Sequence, residues 1–389
     1  MNTLVINKED LKHNIEKIKQ YAEKSGKDDN GNSLKIIAVV KANGYGLGIV
    51  ELTKFLIDNG ISNFAVATIE EALKLREAGI KEEILMLSAT AIEEDIRILI
   101  KNNITLTVGS KEDIEAVDKI GKELNKKIKV HLKIDTGFGR YGFIYSQKEK
   151  IVEAIKEAQN TQIQGTFTHF SLSFFDEKYT KEQFKRFIDT IEVLKMNDIN
   201  PGMLHVCNSS AFIKYPNMHL NAVRIGSAFL GRLAFQDHIG LKKIAHLESQ
   251  VSEIKELPKG FNIGYSNTYT TKKTTKVAIV PVGYMNGMNI TNGKDMFRKV
   301  DKLRYFVGAF KDFFKKEALY VKINNQNCKV LGRVGTYHIT CDIADKDIKI
   351  GDKVIIRSKH KICRLKHKKG VQINGRKESR RKANKNGLF

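Results

Sequence analysis

The stretch Ile36–Gly48, IIAVVKANGYGLG, organises the interpretation of the whole chain. Its first five residues are apolar and mostly β-branched, which predicts a buried strand. Lys41 and a glycine-rich turn follow at once, and α/β proteins place functional groups at the carboxyl ends of parallel strands. A desolvated lysine amine loses its proton more readily and can attack a carbonyl to form a Schiff base. Taken alone, however, Lys41 is more often a strand-end lysine that reaches solvent.

The composition is that of a globular protein with room for two domains. The chain has 389 residues, of which 41% are hydrophobic, enough for two sizeable cores. Its four cysteines form no Cys-x-x-Cys pair, so we predict no metal site, no disulfide framework and a reducing, cytoplasmic location. The amino terminus lacks a signal peptide's apolar core, and no stretch approaches the roughly 20 apolar residues of a membrane span. We therefore expect no membrane partner.

The formal charge of +23 raises the prospect of anionic partners. The excess is uneven, because residues 353–385 are dense in lysine and arginine and contain Glu378 as their only acid. Such a block is more often a solvated tail than a folded reader of bases. No zinc-finger or RNA-binding signature accompanies it, so nucleic acid is not the expected partner.

Short apolar runs alternate with helical patterns through the first part of the chain. The predicted strands are Ile36–Val40, Phe64–Thr68, Ile84–Ser88, Ile104–Val108, Lys129–Asp135, Ile163–Ser171, Met203–Ser210 and Ala222–Gly226. About eight β-α units over roughly 220 residues have the size and rhythm of a (β/α)₈ barrel. An open doubly wound sheet has the same local pattern, and the number of units favours the barrel.

The pattern changes after residue 236, where short runs with period-two alternation replace the helical patterns. This change predicts a separate, mostly β carboxyl-terminal domain. One helix-like insertion, residues 295–316, interrupts it. We therefore predict a barrel domain over 1–236, a β-rich domain over 237–358 and a basic tail over 359–389.

Functional side chains cluster at the predicted carboxyl ends of the barrel strands, which meet on one face. Besides Lys41 they are Lys133, Arg140, His169, His205, Asn208, Ser209, Arg224, Gly226 and Ser227. Small residues with free backbone N–H groups suit a phosphate. A lysine able to form a Schiff base, a phosphate cradle and a buried arginine together suggest pyridoxal 5'-phosphate as the cofactor.

Eight motifs in register make the chain similar to the alanine racemase family, the pyridoxal-phosphate-dependent racemases of fold type III. They are VVKANGYGLG, VATIEEALKLREAGI, HLKIDTGFGRYGF, THFS, HVCNSSAF, VRIGSAFLG, IGYSNTY and PVGYMNG. They occur in the family's order up to about residue 290, and the family also has a barrel followed by a β domain. The resemblance implies a cytoplasmic isomerase that makes D-alanine, a peptidoglycan precursor, and works as a homodimer on a small amino acid.

The resemblance implies two catalytic residues on opposite faces of the substrate. Lys41 holds the cofactor as a Schiff base and is one acid/base group, and Tyr265 is the other. Racemisation removes a proton from one face of Cα and returns one on the other, so two groups make physical sense. In the family the tyrosine comes from the second subunit. Arg224 faces the pyridine nitrogen and keeps its own proton, which limits side reactions.

Further positions carry binding roles by the same resemblance. The cofactor-binding set, in addition to Lys41 and Arg224, is Tyr45, His169, Asn208, Ser209, Gly226 and Ser227. The implied substrate-binding positions are Arg140, Tyr284 and Thr336. His169 is expected to bond Arg224 and to lower the pKa of Tyr265. Lys133 stands where the family often carries a carbamylated lysine.

The carboxyl-terminal part departs from the family pattern. Asn286 replaces a usual aspartate, and Thr336 and Tyr337 replace a methionine and an aspartate. THFS continues as LSFFDE, and the family's closing helix and phosphate-binding tyrosine are replaced by the basic tail. These changes affect the pocket more than the reaction. Alanine is the expected substrate; serine, lysine, ornithine or a broader set, a decarboxylase, and a non-catalytic protein that binds acidic polymers through its tail remain alternatives.

Overall fold

The structure is a computed structural model that describes residues 2–24, 31, 33–288, 299–314, 318–356 and 371–374. The chain forms two compact units: Glu9–Ile244, and a second in which Met1–Lys8 join Ala245–Phe389. The chain therefore passes between the units twice. The predicted division at residue 236 and the tail over 359–389 stay predictions, and most of the tail lies outside the described residues.

The secondary structure alternates in the first unit and is mainly extended in the second. The strands are β1 Thr3–Asn7, β2 Lys35–Val39, β3 Asn63–Val66, β4 Glu83–Ala89, β5 Thr105–Val108, β6 Ile128–Asp135, β7 Phe143–Ile144, β8 Thr161–Phe167, β9 Met203–His205, β10 Ala222–Ile225, β11 Ala245–Gln250, β12 Glu253–Leu257, β13 Asn262–Ile263, β14 Tyr269–Thr270, β15 Thr275–Val280, β16 Tyr320–Ile323, β17 Gln326–Leu331, β18 Ile339–Asp342, β19 Lys353–Ile356 and β20 Val371–Asn374. The α-helices are Lys8–Lys24, Ile49–Asp58, Ile69–Glu77, Glu93–Lys101, Lys111–Glu123, Lys148–Glu157, Glu177–Met196, Ser209–Lys214 and Lys299–Phe314.

The first unit is a closed barrel of eight parallel strands. The hydrogen-bonded order is β5-β4-β3-β2-β10-β9-β8-β6, and β6 pairs with β5 to close the ring. The pair β10–β2 aligns Ala222 with Lys35, and the pair β5–β6 aligns Leu106 with Val130. The short β7 pairs with β6. The predicted barrel is confirmed, and the open-sheet alternative is wrong.

Oxygen-bearing side chains mark where several helices of the barrel begin. Thr68, Ser110 and Asp176 accept a hydrogen bond from the backbone N–H three residues later. Asn208 accepts from the two N–H groups at the start of Ser209–Lys214. These side chains satisfy donors that the first turn of a helix leaves unpaired. They fix where each chain segment turns from a strand into a helix at the functional face.

The second unit is built on a nine-stranded, largely antiparallel sheet, which confirms the mostly β prediction. Its order is β12-β15-β18-β17-β16-β19-β11-β1-β20, with the hairpin β13–β14 apart from it. The strand β1 pairs antiparallel with β11 and parallel with β20. Sequence reasoning missed β1, because its short apolar run Leu4–Ile6 is identified as a strand only by pairing with a partner far along the chain.

The insertion in the second unit contains the helix Lys299–Phe314. The predicted range 295–316 is wider, and its flanks at 289–298 and 315–317 lie outside the described residues. None of the helices in the described part of the chain combines the length and apolar character that crossing a bilayer demands.

Candidate active site

Lys41 lies two residues after the end of the barrel strand β2 and opens a left-handed turn. Ala42, Asn43, Gly44 and Tyr45 all have positive φ, between 53° and 63°. A left-handed conformation costs about 1–2 kcal/mol for each non-glycine residue, so the surrounding structure must hold this turn in place. Such strain is typical of functional sites. Lys41 itself is half-buried.

Two side chains hold the turn. Glu71 accepts one hydrogen bond from the N–H of Asn43 at 3.2 Å and another from the N–H of Ala67 at 3.1 Å. Asn43 Oδ1 accepts from the N–H of Ile49 at 3.1 Å, where the next helix begins. The carboxylate of Glu71 therefore ties the turn to the end of the neighbouring strand β3.

Arg224, on β10, is 3% exposed and is held by hydrogen bonds from both Nη atoms. It donates to the carbonyl oxygens of Thr168 and His205, both at 2.6 Å, and to that of Val206 at 3.2 Å. Its guanidinium also lies 5.0 Å from the centre of the Phe167 ring. Burial lowers the pKa of Arg224 to about 10. The side chain therefore stays a fixed cation at neutral pH.

A pair of buried histidines extends from Arg224 into the barrel. Arg224 Nη1 lies 2.7 Å from His205 Nδ1, and His205 Nε2 lies 2.8 Å from His131 Nδ1. Because arginine can only donate, His205 accepts at Nδ1 and donates from Nε2 to His131. His205 stacks on Phe167 with the ring planes 9° apart. Burial, followed by the charge of Arg224, lowers the pKa of both histidines, that of His131 to about 4.

Lys133 is a second buried cation, 5% exposed near the end of β6. Its ammonium lies 5.3 Å from the centres of the Tyr141 and Phe167 rings. Burial, followed by the charges of Arg140, Arg224 and Lys41, lowers the pKa of Lys133 to about 7, and the charge of Asp135 partly opposes this shift. The functional face therefore concentrates three other basic groups around one half-ionised amine.

Asp135 does not neutralise these cations freely, because its oxygens are engaged by a loop. Four successive N–H groups, from Gly137 to Arg140, donate to the carboxylate at 2.8–3.0 Å. Burial alone would raise the pKa of Asp135, but these hydrogen bonds lower it overall. The loop presents the exposed Arg140, whose guanidinium stacks 4.3 Å from the centre of the Phe138 ring.

Ser209, Gly226 and Tyr45 converge beside Arg224. Ser209 Oγ accepts from the N–H of Gly226 at 3.0 Å and from that of Ala228 at 3.4 Å. A Cβ atom at Gly226 would lie 2.1 Å from Tyr45 Oη, so only glycine fits beneath that hydroxyl. Burial and then Glu71 raise the pKa of Tyr45 to about 12, so its hydroxyl keeps its proton and can donate.

His169 and Asn208 flank this group. His169 Nδ1 lies 3.4 Å from Arg224 Nη2, and its ring meets that of Phe138 edge-on at 5.4 Å. Burial and the charge of Arg224 lower the pKa of His169 well below its usual value. Asn208 caps a helix and accepts from Ser173 Oγ at 2.9 Å. Its contacts in this unit are those of a structural cap.

The other three predicted site residues belong to the second unit. Tyr265 is 73% exposed, in a turn between β13 and β14. Tyr284 and Thr336 come together, since their hydroxyl oxygens lie 2.8 Å apart. The N–H of Tyr284 also donates to the carbonyl oxygen of Gly335 at 3.1 Å. Within this unit Tyr284 and Thr336 are held together by a hydrogen bond, whereas Tyr265 is largely exposed to solvent.

Sequence reasoning missed the residues that support the site. It assigned no role to His131, Phe167, Asp135 or Glu71, and it recognised His205 only as a strand-end residue. One signal was available for His131, because the run HLKID puts a titratable residue inside an apolar strand. The contact of His131 with His205 depends on the register of β6, β8 and β9, which only the closed barrel defines.

Comparisons with known proteins agree with the geometry. Residues 6–233 match the family model of the alanine racemase N-terminal domain, and residues 244–372 match that of the C-terminal domain. The alanine racemase of Methanococcus maripaludis is 36% identical over 283 residues, 71% of this chain and 74% of that protein.

Solved structures give the same result. An alanine racemase from Clostridium difficile 630 has a TM-score of 0.75 at 31% identity, over 91% of this chain and 86% of that one. An alanine racemase from Bartonella henselae, described with covalently bound pyridoxal phosphate, is 20% identical with a TM-score of 0.76, over 92% of this chain and 90% of that one; it supports the fold alone. The two family matches together cover most of the chain, which therefore belongs to the alanine racemase family.

Proposed function

We propose that the protein interconverts L- and D-alanine by proton transfer at Cα, with pyridoxal 5'-phosphate as its cofactor. The observation that carries the proposal is the strained turn at Lys41, set beside the buried cation Arg224 in a chain of the alanine racemase family. Retention of both features supports an isomerase over a non-catalytic binding protein. Arg224 also disfavours a decarboxylase, for which an acid near the pyridine nitrogen is expected.

The residues at the barrel's functional face fit this cofactor. Lys41, Arg140 and Arg224 all lower the pKa of Lys133 and of His169 as neighbouring cations, and the nearby Asp135 is engaged by its loop. A group with a dianionic phosphate and a phenolate complements that excess of positive charge. Tyr45 lies close to Gly226, and Ser209 accepts from the N–H groups of Gly226 and Ala228. The hydroxyl groups of Tyr45 and Ser209 are small polar donors suited to the phosphate. Asn208 and Ser227 border that group along the chain.

When bound, pyridoxal phosphate withdraws electrons from an amino acid and so makes the Cα proton acidic. Lys41 would hold the cofactor through its amine and carry a proton on one face. Tyr265 would carry the proton on the opposite face through its phenol oxygen, and His169 would lower the pKa of that phenol. Two residues on opposite faces are what inversion of configuration demands.

Arg224 would donate a hydrogen bond to the pyridine nitrogen without releasing its proton. Its pKa of about 10 keeps it charged at neutral pH. Neutral His205 fixes the guanidinium, since it accepts a hydrogen bond from Arg224 at Nδ1 and donates one to His131 from Nε2. A doubly protonated His205 could not accept from Arg224. The two histidines are thus positioning residues for Arg224, which would leave the ring nitrogen of the cofactor unprotonated and so disfavour reactions that need a stronger electron sink.

Arg140, Tyr284 and Thr336 are the substrate-binding residues of this proposal. The loop of Asp135 presents Arg140 toward solvent, as a carboxylate-binding cation requires. The hydrogen bond between Tyr284 and Thr336 gives a rigid polar pair suited to a small substrate. Thr336 stands where the family pattern has a larger side chain, so L-serine should be tested beside L-alanine.

Lys133 is the candidate carbamylated lysine. A pKa of about 7 leaves its amine half unprotonated at neutral pH, and only the unprotonated amine adds CO₂, releasing one proton. The resulting carbamate anion would offset the cations around it and orient Arg140. Carbon-13 NMR of the protein in ¹³C-labelled bicarbonate should show one carbamate signal that Lys133→Met removes. Labelling that persists in the variant contradicts the assignment.

An absorbance spectrum followed by a racemisation assay tests the function. The purified protein with pyridoxal phosphate should show the band of a Schiff base, and Lys41→Ala should lack it. The wild type should convert L-alanine to D-alanine, and the variant should not. A bound cofactor with no conversion of alanine would refute the substrate assignment and leave the cofactor assignment intact.

Complementation tests the proposal of a shared site in a homodimer. Lys41→Ala and Tyr265→Phe are each expected to be inactive. If each site takes Lys41 from one subunit and Tyr265 from the other, a mixed dimer regains one intact site, about half of the wild-type activity per dimer. Activity that stays absent in mixed dimers, verified by two affinity tags, contradicts sharing.

A further inference from the structure

The helix Lys299–Phe314 turns its apolar side chains outward. We call the set Val300, Leu303, Phe306, Val307 and Phe310 the apolar face. Their exposed fractions are 73%, 63%, 70%, 44% and 62%. Asp301, by contrast, is 2% exposed, and Tyr305 is half-buried. The helix therefore packs on its unit with a side that includes a carboxylate and leaves large hydrophobic groups at the surface.

Helical geometry makes the apolar face continuous. At 3.6 residues per turn, its five members fall within an arc of about 120°. Lys302 lies about 40° beyond one edge of this arc, and Arg304 lies about 40° beyond the other. The only acid between residues 299 and 310 is Asp301, which lies on the opposite side and pairs with Arg304 at 3.0 Å. The exposed half of the helix is thus mainly apolar, with the exposed Lys299 at its first turn within the same arc and a cation beyond each edge.

This arrangement fits one class of partner better than others. Soluble proteins rarely expose contiguous apolar patches unless the patch binds something. Helices with a phenylalanine- and leucine-bearing face and lysine or arginine edges lie flat on membranes, with the apolar face buried about 5–10 Å into the headgroup region. Long cationic side chains at the edges reach the lipid phosphates.

We propose that the apolar face docks on a membrane surface that carries anionic lipids. Charge decides between this partner and a second copy of the chain. Two such helices face to face would bring the exposed cations Lys299 and Lys302 of both copies together in a chain whose net charge is already +23, whereas an anionic bilayer complements them. The sequence predicted no membrane partner because no stretch is long and apolar enough to span a bilayer, and the proposal departs from that prediction on the exposure of this helix. This inference does not depend on the proposed function.

Flotation of the full-length protein with lipid vesicles tests the proposal. We expect binding to vesicles of equal parts phosphatidylcholine and phosphatidylglycerol, and weak binding to phosphatidylcholine alone. Leu303→Ser with Phe306→Ser should reduce the partition coefficient by more than about tenfold. Lys302→Glu should reduce it by roughly tenfold at low salt. Circular dichroism of each variant shows whether its fold is retained.

Matched controls carry the same changes elsewhere. Ile92→Ser with Phe175→Ser alters two side chains that are 63% and 75% exposed in the barrel unit, and Lys329→Glu alters an exposed lysine on β17. Both controls should bind vesicles like the wild type. Binding that survives loss of Leu303 and Phe306 overturns the proposal in favour of the basic tail. Absence of binding by the wild type overturns the proposal, and a change of oligomeric state in the double variant would then indicate a contact between copies.

Discussion

The residues singled out at the functional face of the barrel are buried, whereas those singled out in the second unit are exposed. In the barrel, Arg224, Lys133 and His205 are buried and held by hydrogen bonds or aromatic rings, and the strained turn after Lys41 is tied down by Glu71. In the second unit, Tyr265 is 73% exposed and the apolar face of the insertion helix points to solvent. The barrel thus surrounds its charged and polar side chains with its own residues, whereas the second unit leaves Tyr265 and the apolar face open to solvent or to a partner.

Of the changes that probe this contrast, removal of Lys41 should have the largest effect on activity. Lys41→Ala deletes the group that holds the cofactor and one proton carrier, so kcat/KM for alanine should fall by at least about 10⁴-fold. Lys35→Ala, at the opposite end of the same strand, is the matched control and should keep its activity. A Lys41→Ala enzyme with more than about one-hundredth of wild-type activity would contradict the catalytic role of Lys41.

Tyr265→Phe addresses the exposed side of the comparison. Loss of one general acid/base should lower kcat by about 10²- to 10⁴-fold. Because Tyr265 serves one face only, Cα proton exchange should be lost unequally for L- and D-alanine. Tyr320→Phe, another exposed tyrosine of the same unit, should change neither quantity. Equal losses for the two enantiomers would contradict the assignment of one residue to each face.

The buried histidines make the stability of the barrel depend on pH. The pKa of His131 is lowered to about 4, against about 6.5 in an unfolded chain. Between these values the unfolded state binds a proton that the folded state does not, so stability falls as pH falls from about 6.5 to 4, by up to roughly 3 kcal/mol. Urea unfolding at several pH values should show this decline.

The decline should be smaller in His131→Asn and unchanged in His238→Asn, which alters an exposed imidazole of the same unit. An unaltered pH dependence in His131→Asn would show that His131 is not held neutral. Burial and the charge of Arg224 would then not be sufficient to keep the His131 imidazole unprotonated.

Gly226→Ala is the smallest of these changes. Its new methyl group would lie 2.1 Å from Tyr45 Oη, so the phenol must move away from the proposed phosphate cradle. We expect about tenfold weaker binding of pyridoxal phosphate, measured by fluorescence titration, with the barrel still folded. Gly308→Ala, where no atom lies within 4 Å of the added Cβ, should bind the cofactor normally. Normal binding by Gly226→Ala would remove Tyr45 from the cradle.

The sequence predicted the barrel because each strand–helix unit has a local signature. Val40 followed by Lys41 and glycines marks a strand end without knowledge of any partner, and Thr68 marks the start of a helix. The strand β1 was missed because its identity rests on pairing with β11, some 240 residues later. Long-range pairing of short strands leaves no local trace.

The same reasoning explains the uneven prediction of the site. Residues that follow a strand could be identified by position, as with Lys41 and Ser209. The support of Arg224 by His205 and His131 depends on barrel register, and that of Asn43 by Glu71 depends on a contact between neighbouring strand ends. Sequence periodicity predicted a helix within residues 295–316, but which side of it faces the protein is decided by tertiary packing.

The most direct test of the central claim is NMR of L-alanine incubated in D₂O with the protein and pyridoxal phosphate. We predict that deuterium replaces the Cα hydrogen while D-alanine accumulates until the two enantiomers are equal, and that Lys41→Ala abolishes both changes. Cα hydrogen that stays unexchanged in the presence of bound cofactor would contradict proton transfer at Lys41, and with it the proposed reaction.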